Sequence, residues 1–290
     1  MTKKSTSDQL AVSVIIPSFN GRDLLSKHLP DVETAMSSGD ELVIVDDAST
    51  DDTAAWVTHR YSMLLTESGL KGMWKKGKQN GPVQLLVNAK NLRFGLSCNK
   101  GVELASHPLI CLLNNDVSPQ SSCLTTLRHW FADKRVFAVG CLEYQSINLD
   151  MQFGKNRLWF EKGLFMHSRD ESMETGKTAW VSGGSGMFRK SYWEQLGGFD
   201  PSYAPAYWED IDLSWRARAM GWQVLFDKDA SVIHLHETTN KKAFGEQEIE
   251  RMSWRSAIHF TKTHATFSQL LQYFAWQPFW YWQRYRRGLV

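Results

Sequence analysis

Three short polar clusters each close an apolar run. They are Ser18-Phe19-Asn20 after "SVIIP", Asp46-Asp47 after "ELVIV" and Asn114-Asn115-Asp116 after "LICLL". Asn and Asp favour turns and helix caps, which explains one such cluster more readily than three at successive strand ends. A carboxylate such as Asp116 can hold Mg²⁺ or Mn²⁺, hard cations that prefer oxygen and bridge phosphate oxygens. A second group lies further on. "SGGSGMF" puts Gly183, Gly184 and Gly186 in one turn, where backbone can approach a ligand closely or merely reverse the chain. Trp208 precedes the acidic pair Glu209-Asp210, and its ring, like that of Trp180, suits either sugar stacking or core packing. His234 and His236 are two residues apart, hence on one face of a strand. Asp212 and Arg216 have the i,i+4 spacing of a helical ion pair, a structural role.

The surrounding elements must bring these groups together. Short β runs alternate with helical stretches through the first 140 residues or so: 13–19, 41–47, 83–89, the run "PLICLLNND" and 136–142 read as strands. Leu25, Leu29, Val32 and Met36 mark a helix that Pro30 should kink or split. "STDDTAAWV" starts another helix with Ser49 or Thr50 as cap, and "SCNKGVELA" and 121–133 are helical. Residues 67–82 are Gly- and Lys-rich and read as an exposed insertion, and 143–178 as hairpin and loop. A short helix begins near Ser191, and another runs from Glu209 to a stop at Gly221. "QVLFDKDASVIHLH" gives one or two strands, and the chain is mostly helical from Phe244. The βαβαβ order predicts an α/β fold, Rossmann-like, with a mostly parallel central sheet flanked by helices. In such a sheet ligands sit beyond the carboxyl ends of the strands, where the polar clusters fall. Residues 1–10 are expected to be disordered, 11–240 to form the α/β domain, and 241–290 to be a C-terminal helical extension.

The net charge of the 290-residue chain is +2, which argues against nucleic acid as a default partner. The four cysteines have no CxxC spacing and no apolar leader segment precedes them, so they read as reduced core thiols of a cytosolic protein. Eight of the thirteen residues from Tyr273 to Tyr285 are aromatic, and Arg284, Arg286 and Arg287 cluster at the end. The uncharged stretch 265–283 is long enough for a bilayer but carries four Gln and a Pro. Residues 265–287 are therefore expected to lie on a membrane surface, or failing that to pack as a helix or form a homo-oligomer contact, before they would span.

Neither GxGxxG nor GxxxxGK[ST] is present, so phosphate must be neutralised another way. The ordered motifs "VSVIIPSFN", "LVIVDDASTDDT", "NLRFGLSCNKG", "LLNNDV", "SGGSGMFRKSYWEQLGGFD", "WEDIDLSWRARAMGW" and "ASVIHLH" span roughly residues 12–238. The chain resembles a family 2 glycosyltransferase of the GT-A fold, of the bacterial polysaccharide and rhamnosyltransferase-like kind. The resemblance implies that Pro17, Ser18, Phe19, Asn20 and one of Asp46 or Asp47 hold nucleobase and ribose. It puts Asn91 and Arg93 on the nucleotide side, and Asn114-Asn115-Asp116 at the DXD-type position. Asp116 would bind Mg²⁺ or Mn²⁺, Asn115 would sit near ribose or metal, and His234, with His236 as rival, would complete the shell. Asp210 would be the general base, with Glu209 beside it, while Gly183, Gly184 and Trp208 would face acceptor and sugar. The segment departs from DXD by having Asn at two of its three positions, which leaves one carboxylate and predicts weaker metal binding.

The implied function is inverting transfer of a sugar from a UDP- or dTDP-linked donor to a hydroxyl of a glycan or lipid-linked glycan. The implied location is the inner membrane face. Two alternatives remain at this point. A nucleotidyltransferase making sugar nucleotides would release pyrophosphate, and "PSFNGRD" supports it weakly. A non-catalytic nucleotide- or glycan-binding protein would show binding without turnover.

Overall fold

The computed structural model describes residues 10–67, 69–145, 151–234 and 245–289. The strands are β1 (Val12–Ser18), β2 (Glu41–Asp46), β3 (Leu64–Thr66), β4 (Gly69–Lys76), β5 (Gln79–Val87), β6 (Leu109–Leu113), β7 (Val117–Pro119), β8 (Val136–Tyr144), β9 (Gln152–Phe153), β10 (Asn156–Glu161), β11 (Leu164–Arg169), β12 (Gly176–Lys177), β13 (Ser185–Arg189) and β14 (Gln223–His234). The helices are α1 (Arg22–Ala35), α2 (Thr53–Arg60), α3 (Arg93–Leu104), α4 (Cys123–His129), α5 (Lys190–Leu196), α6 (Glu209–Ala219), α7 (Glu246–His264) and α8 (Phe267–Arg286).

One large sheet carries the fold, in the order β12-β14-β8-β13-β6-β1-β2-β5-β4-β3. β6, β1, β2 and β5 run parallel, β8 and β14 run parallel to each other, and β13 is antiparallel to both β6 and β8. All five parallel strands expected from sequence are present. β1, β2 and β6 are buried along their full lengths, as a sheet covered on both faces requires. Their side chains alternate between two cores. Val14, Ile16, Leu42, Ile44 and Cys111 face Leu25, Leu29, Val57 and Leu124 of α1, α2 and α4. Ile15, Val43, Val45, Ile110 and Leu112 face Cys98, Val102, Trp193 and Leu213 of α3, α5 and α6. The four cysteines are buried free thiols, as expected.

Several local readings need correction. Pro30 does not split α1, because Leu25, Leu29, Val32 and Ala35 on either side of it all dock in the core. Neither Ser49 nor Thr50 caps α2. Asp51 accepts from the Thr53 amide at 3.0 Å, and Ser49 Oγ accepts instead from the Asn20 amide at 2.9 Å. The presumed insertion at 67–82 is largely an antiparallel hairpin, β4–β5, that widens the sheet. Its anchor is Trp74, fully buried, whose Nε1 donates to Asp40 O at 2.9 Å. Gly186 lies in the central strand β13 rather than in a turn. Of the 1–10 stretch expected to be disordered, residues 1–9 lie outside the described residues, as does His236.

A further packing centre lies beyond the sheet. The hairpin β10–β11 packs through Phe165 against Phe260 of α7 and Trp215 of α6. Phe260 also meets Trp208 at 5.2 Å, so α7 is part of the wall behind the start of α6. Among the described residues no helix is long and apolar enough to cross a membrane.

Candidate active site

Parallel pairing puts Ser18, Asp46 and Asn114 at one edge of the sheet: Ser18 registers with Asp46, and Asn114 follows β6 directly. Glu143 near the end of β8 and His234 at the end of β14 reach the same edge. Ser185, which opens the antiparallel β13 opposite Leu113, meets them there. The expectation that distant polar clusters share one edge holds.

The edge is held by cross-links between loops. Asn115 Nδ2 donates to Ser18 Oγ at 3.0 Å, and Asn20 Oδ1 accepts from the Thr50 amide at 2.7 Å. Asp47 accepts from Asn88 Nδ2, the Leu92 amide and the Arg93 amide, each at 2.8 Å, so its carboxylate organises the turn that starts α3. Asn91 Oδ1 also accepts from the Arg93 amide at 3.1 Å. Asp46 is almost fully buried; Oδ2 accepts from the Ser49 amide at 3.2 Å while Oδ1 has no hydrogen-bond partner among the described residues. Pro17 is buried inside β1, and Phe19 is the one apolar side chain of the cluster that reaches solvent, at 36% exposure.

Backbone strain concentrates here. Asn20, Ala48, Arg93, Tyr207 and Trp208 all have positive φ without being glycine. Such conformations cost of order 1–3 kcal/mol each and persist where packing enforces them. At Trp208 that packing is visible. The indole is 4% exposed, set against His167 and Phe260, and donates to Ser253 Oγ at 3.4 Å. Trp208 is thus a buried anchor of the strained turn and not an open sugar platform; Trp180, 8% exposed and against His167, is likewise packed.

The turn delivers Glu209 and Asp210 at the start of α6. Asp210 Oδ2 accepts from the Gly183 amide at 3.4 Å and Oδ1 from the Ile211 amide at 2.8 Å. Gly184 O accepts from the Asn114 amide at 2.9 Å, so one three-residue turn touches both Asp210 and the Asn-Asn-Asp segment. A Cβ on Gly184 would stand 2.6 Å from Asn114 Nδ2, which is why that position takes glycine. Burial raises Asp210 to about 6, with the Glu143 charge adding and amide hydrogen bonds opposing. Burial, then the Asp210 charge, raises Glu209 to about 8. A helix N-terminus by itself would hold both carboxylates low; here desolvation wins. Among the described residues Glu209 Oε2 has no hydrogen-bond partner, and the residue lines a recess with Arg93, Phe199 and Tyr203. Asp212 pairs with Arg216 Nε at 2.7 Å, as its spacing predicts.

His234 lies between two carboxylates. Nε2 is 3.2 Å from Asp116 Oδ1 and Nδ1 is 3.3 Å from Glu143 Oε2. Burial lowers its affinity for a proton, but the two carboxylates outweigh that and bring it to about 10. Among the described residues no group of three or more His, Cys, Asp or Glu is arranged to hold a metal ion. Asp116 and His234 by themselves offer one carboxylate and one imidazole, a partial donor set that a cation such as Mg²⁺ or Mn²⁺ would have to complete with oxygens from outside the protein. Sequence alone does not single out Glu143 and Ser185, although Glu143 closes the apolar run "VFAVGCL" as Asn114-Asn115-Asp116 closes "LICLL".

Comparison with known proteins agrees with this arrangement. The profile of Glycosyl transferase family 2 matches residues 13–197, more than half of the chain. The O-antigen chain rhamnosyltransferase RfbN of Salmonella typhimurium is 22% identical over 238 residues, covering 81% of this chain and 69% of that protein. An N-acetylglucosaminyl-diphospho-decaprenol L-rhamnosyltransferase of Mycobacterium tuberculosis is 37% identical over 68 residues, 23% of this chain and 22% of its own. Among solved structures, GalNAc-T7 with UDP, GalNAc and Mn²⁺ superposes with a TM-score of 0.58 at 16% identity, over 78% of this chain but 44% of that one. The mannosyltransferase PcManGT of Pyrobaculum calidifontis, in complex with GDP-Man and Mn²⁺, gives a TM-score of 0.57 at 18% identity, over 92% of this chain and 74% of its own. With the sheet order and the polar edge described above, these matches establish the GT-A fold, and the chain belongs to glycosyl transferase family 2.

Proposed function

We propose that the protein is an inverting glycosyltransferase that moves a sugar from a UDP- or dTDP-linked donor to a hydroxyl of a glycan or lipid-linked glycan. The observation that carries this reading is the turn at 182–184, which bonds to Asp210 on one side and to Asn114 on the other. A base and a diphosphate-binding edge that share one rigid turn keep a fixed separation, as in-line displacement at an anomeric carbon requires.

In this reading the edge formed by Ser18, Phe19, Asn20 and the Asp46 loop receives nucleobase and ribose. Asp47 acts through the turn it organises, and so sets the positions of Asn91 and Arg93. Asp116 and His234 hold Mg²⁺ or Mn²⁺, which supplies charge neutralisation for the leaving diphosphate. Asp210, mostly ionised near neutrality, accepts the proton of the acceptor hydroxyl as that oxygen attacks. Glu209, held largely protonated by burial, offers an O–H to a sugar or acceptor oxygen. No covalent enzyme intermediate forms. The relatives' names put rhamnosyl donors first among candidates. The exposed aromatic side of α8 is taken as a peripheral contact with the membrane that carries a lipid-linked acceptor.

A panel of nucleotide sugars, dTDP-rhamnose among them, tests the reading. Release of nucleoside diphosphate with Mn²⁺ and a hydroxyl acceptor is expected, and its loss in Asp210→Asn. Release of pyrophosphate, or tight binding without turnover, would overturn it.

A further inference from the structure

We propose that Glu143 is a positioning residue of the cation site. It fixes the tautomer and orientation of His234 so that Nε2 is turned toward Asp116. It also restores, one layer behind the ligands, negative charge that the Asn-Asn-Asp segment lacks. The proposal rests on reading Asp116 and His234 as ligands of a divalent cation.

The geometry comes from three adjacent strands. Ser185 of β13 donates its hydroxyl to Glu143 Oε1, Glu143 of β8 presents Oε2 to His234 Nδ1 at 3.3 Å, and His234 of β14 presents Nε2 to Asp116 at 3.2 Å. Neutral imidazole carries one N–H and one lone pair, and the partner of one nitrogen decides which the other shows. A carboxylate at Nδ1 accepts N–H there and leaves the Nε2 lone pair for a cation. Glu143 is 5% exposed and His234 3%, so neither can rotate into solvent. The register is also specific. Asp227 of β14 pairs with Cys141 and Ser231 with Leu142, so three extra residues enter β14 between those rungs. An odd insertion exchanges the two faces of the strand that follows. Beyond it Val117 pairs with His234, which brings the imidazole beside Asp116.

The charge argument is independent of that register. A DXD segment brings two carboxylates to the diphosphate, whereas here Asn114 and Asn115 leave only Asp116. A buried carboxylate hydrogen-bonded to the far side of the ligating ring makes that ring a better donor to a cation. Glu143 thereby contributes what the motif omits, without itself touching the cation.

The test is Mn²⁺ binding, followed by electron paramagnetic resonance with Mn²⁺ alone and with Mn²⁺ plus UDP. Imidazole ¹⁵N–¹H spectra of the protein loaded with diamagnetic Mg²⁺, where the ring has given up one of its two protons, report the tautomer. Glu143→Ala is expected to weaken Mn²⁺ binding by about 10–100-fold and to mix the His234 tautomers. Glu143→Gln, which keeps an acceptor at Nδ1, is expected to recover the tautomer and part of the affinity. A folded Glu143→Ala that binds Mn²⁺ within about twofold of the parent, or keeps a single Nδ1–H tautomer, overturns the proposal. So does a parent protein that binds no Mn²⁺. If Glu143→Ala does not fold, Ser185→Ala decides: weaker Mn²⁺ binding supports the chain of contacts, and unchanged binding overturns it. None of these readouts uses a sugar donor. Mn²⁺ binding of the expected kind without diphosphate release refutes the transferase reading alone. Turnover with Mn²⁺ affinity indifferent to Glu143 refutes this inference alone.

Discussion

His264 Nε2 lies 2.7 Å from Asp212 Oδ1, and this contact ties the end of α7 to the first turns of α6. Asp212 also accepts from Arg216 Nε at 2.7 Å and from the Tyr203 hydroxyl at 3.3 Å. The carboxylate is 2% exposed, so removing a partner leaves charge with poorer compensation in the interior. Two residues upstream is Asp210. His264→Ala should therefore lower both melting temperature, by about 5 °C, and kcat, by about tenfold, while donor KM stays close to the parent value. Differential scanning fluorimetry and initial rates check this. A variant that melts lower but turns over normally would limit the contact to stability.

Asp210 gives a pH prediction of definite sign. Burial, assisted by the Glu143 charge, raises it to about 6. A base works ionised, so kcat/KM should rise with pH through about 6 and then level off. Asp210→Asn should lower kcat by about 10²–10⁴-fold and remove that limb, with donor KM little changed. Glu143→Gln removes a like charge and should move the midpoint down. A rate independent of pH from about 5 to 8 would exclude Asp210 as the base.

Glu209 predicts the pH dependence of stability. Its folded-state value is raised to about 8, so between the ordinary carboxylate range and 8 the native chain holds a proton that the unfolded chain has released. Stability from this group is present at low pH and declines as pH rises through that window. Glu209→Gln mimics the protonated form. It should match the parent near pH 5 and melt about 3 °C higher near pH 8.5. Equal melting curves at both pH values would show that burial does not hold the proton there.

The α/β architecture and the shared polar edge were legible because buried parallel strands are continuous apolar runs with abrupt polar ends. At Glu143 the same signal is weak, because a single acid stands between Leu142 and Tyr144 near the end of β8 instead of a run of amides and acids. Trp208 misled for a different reason. Sequence shows an aromatic beside two acids, whereas its role depends on Phe260, 52 positions later, which covers the ring. The β4–β5 hairpin was hidden by composition: its lysines suggest a loop, and only the burial of Trp74 shows a strand. Asp46 and Asp47 were indistinguishable in sequence; which one organises the 88–93 turn depends on backbone amides contributed by a later loop.

The outer side of α8 predicts where the protein sits. Phe267, Leu271, Phe274, Tyr281 and Tyr285 recur at helical spacing and are 57–78% exposed. The opposite side is docked: Trp280 Nε1 donates to Lys162 O at 2.6 Å, its ring meets Trp254, and Tyr273 is buried. No acidic residue occurs in α8, and Arg284 and Arg286 lie in its last turn. An aromatic stripe with basic residues and no acid suits an anionic lipid surface. The protein should float with vesicles containing anionic lipid, less with purely zwitterionic ones, and less at high salt. Phe267→Ser combined with Phe274→Ser and Tyr281→Ser should reduce flotation at least about tenfold without changing turnover of a soluble acceptor. If the protein ignores vesicles and light scattering shows a dimer that the same triple variant dissociates, the stripe joins two copies of the chain instead.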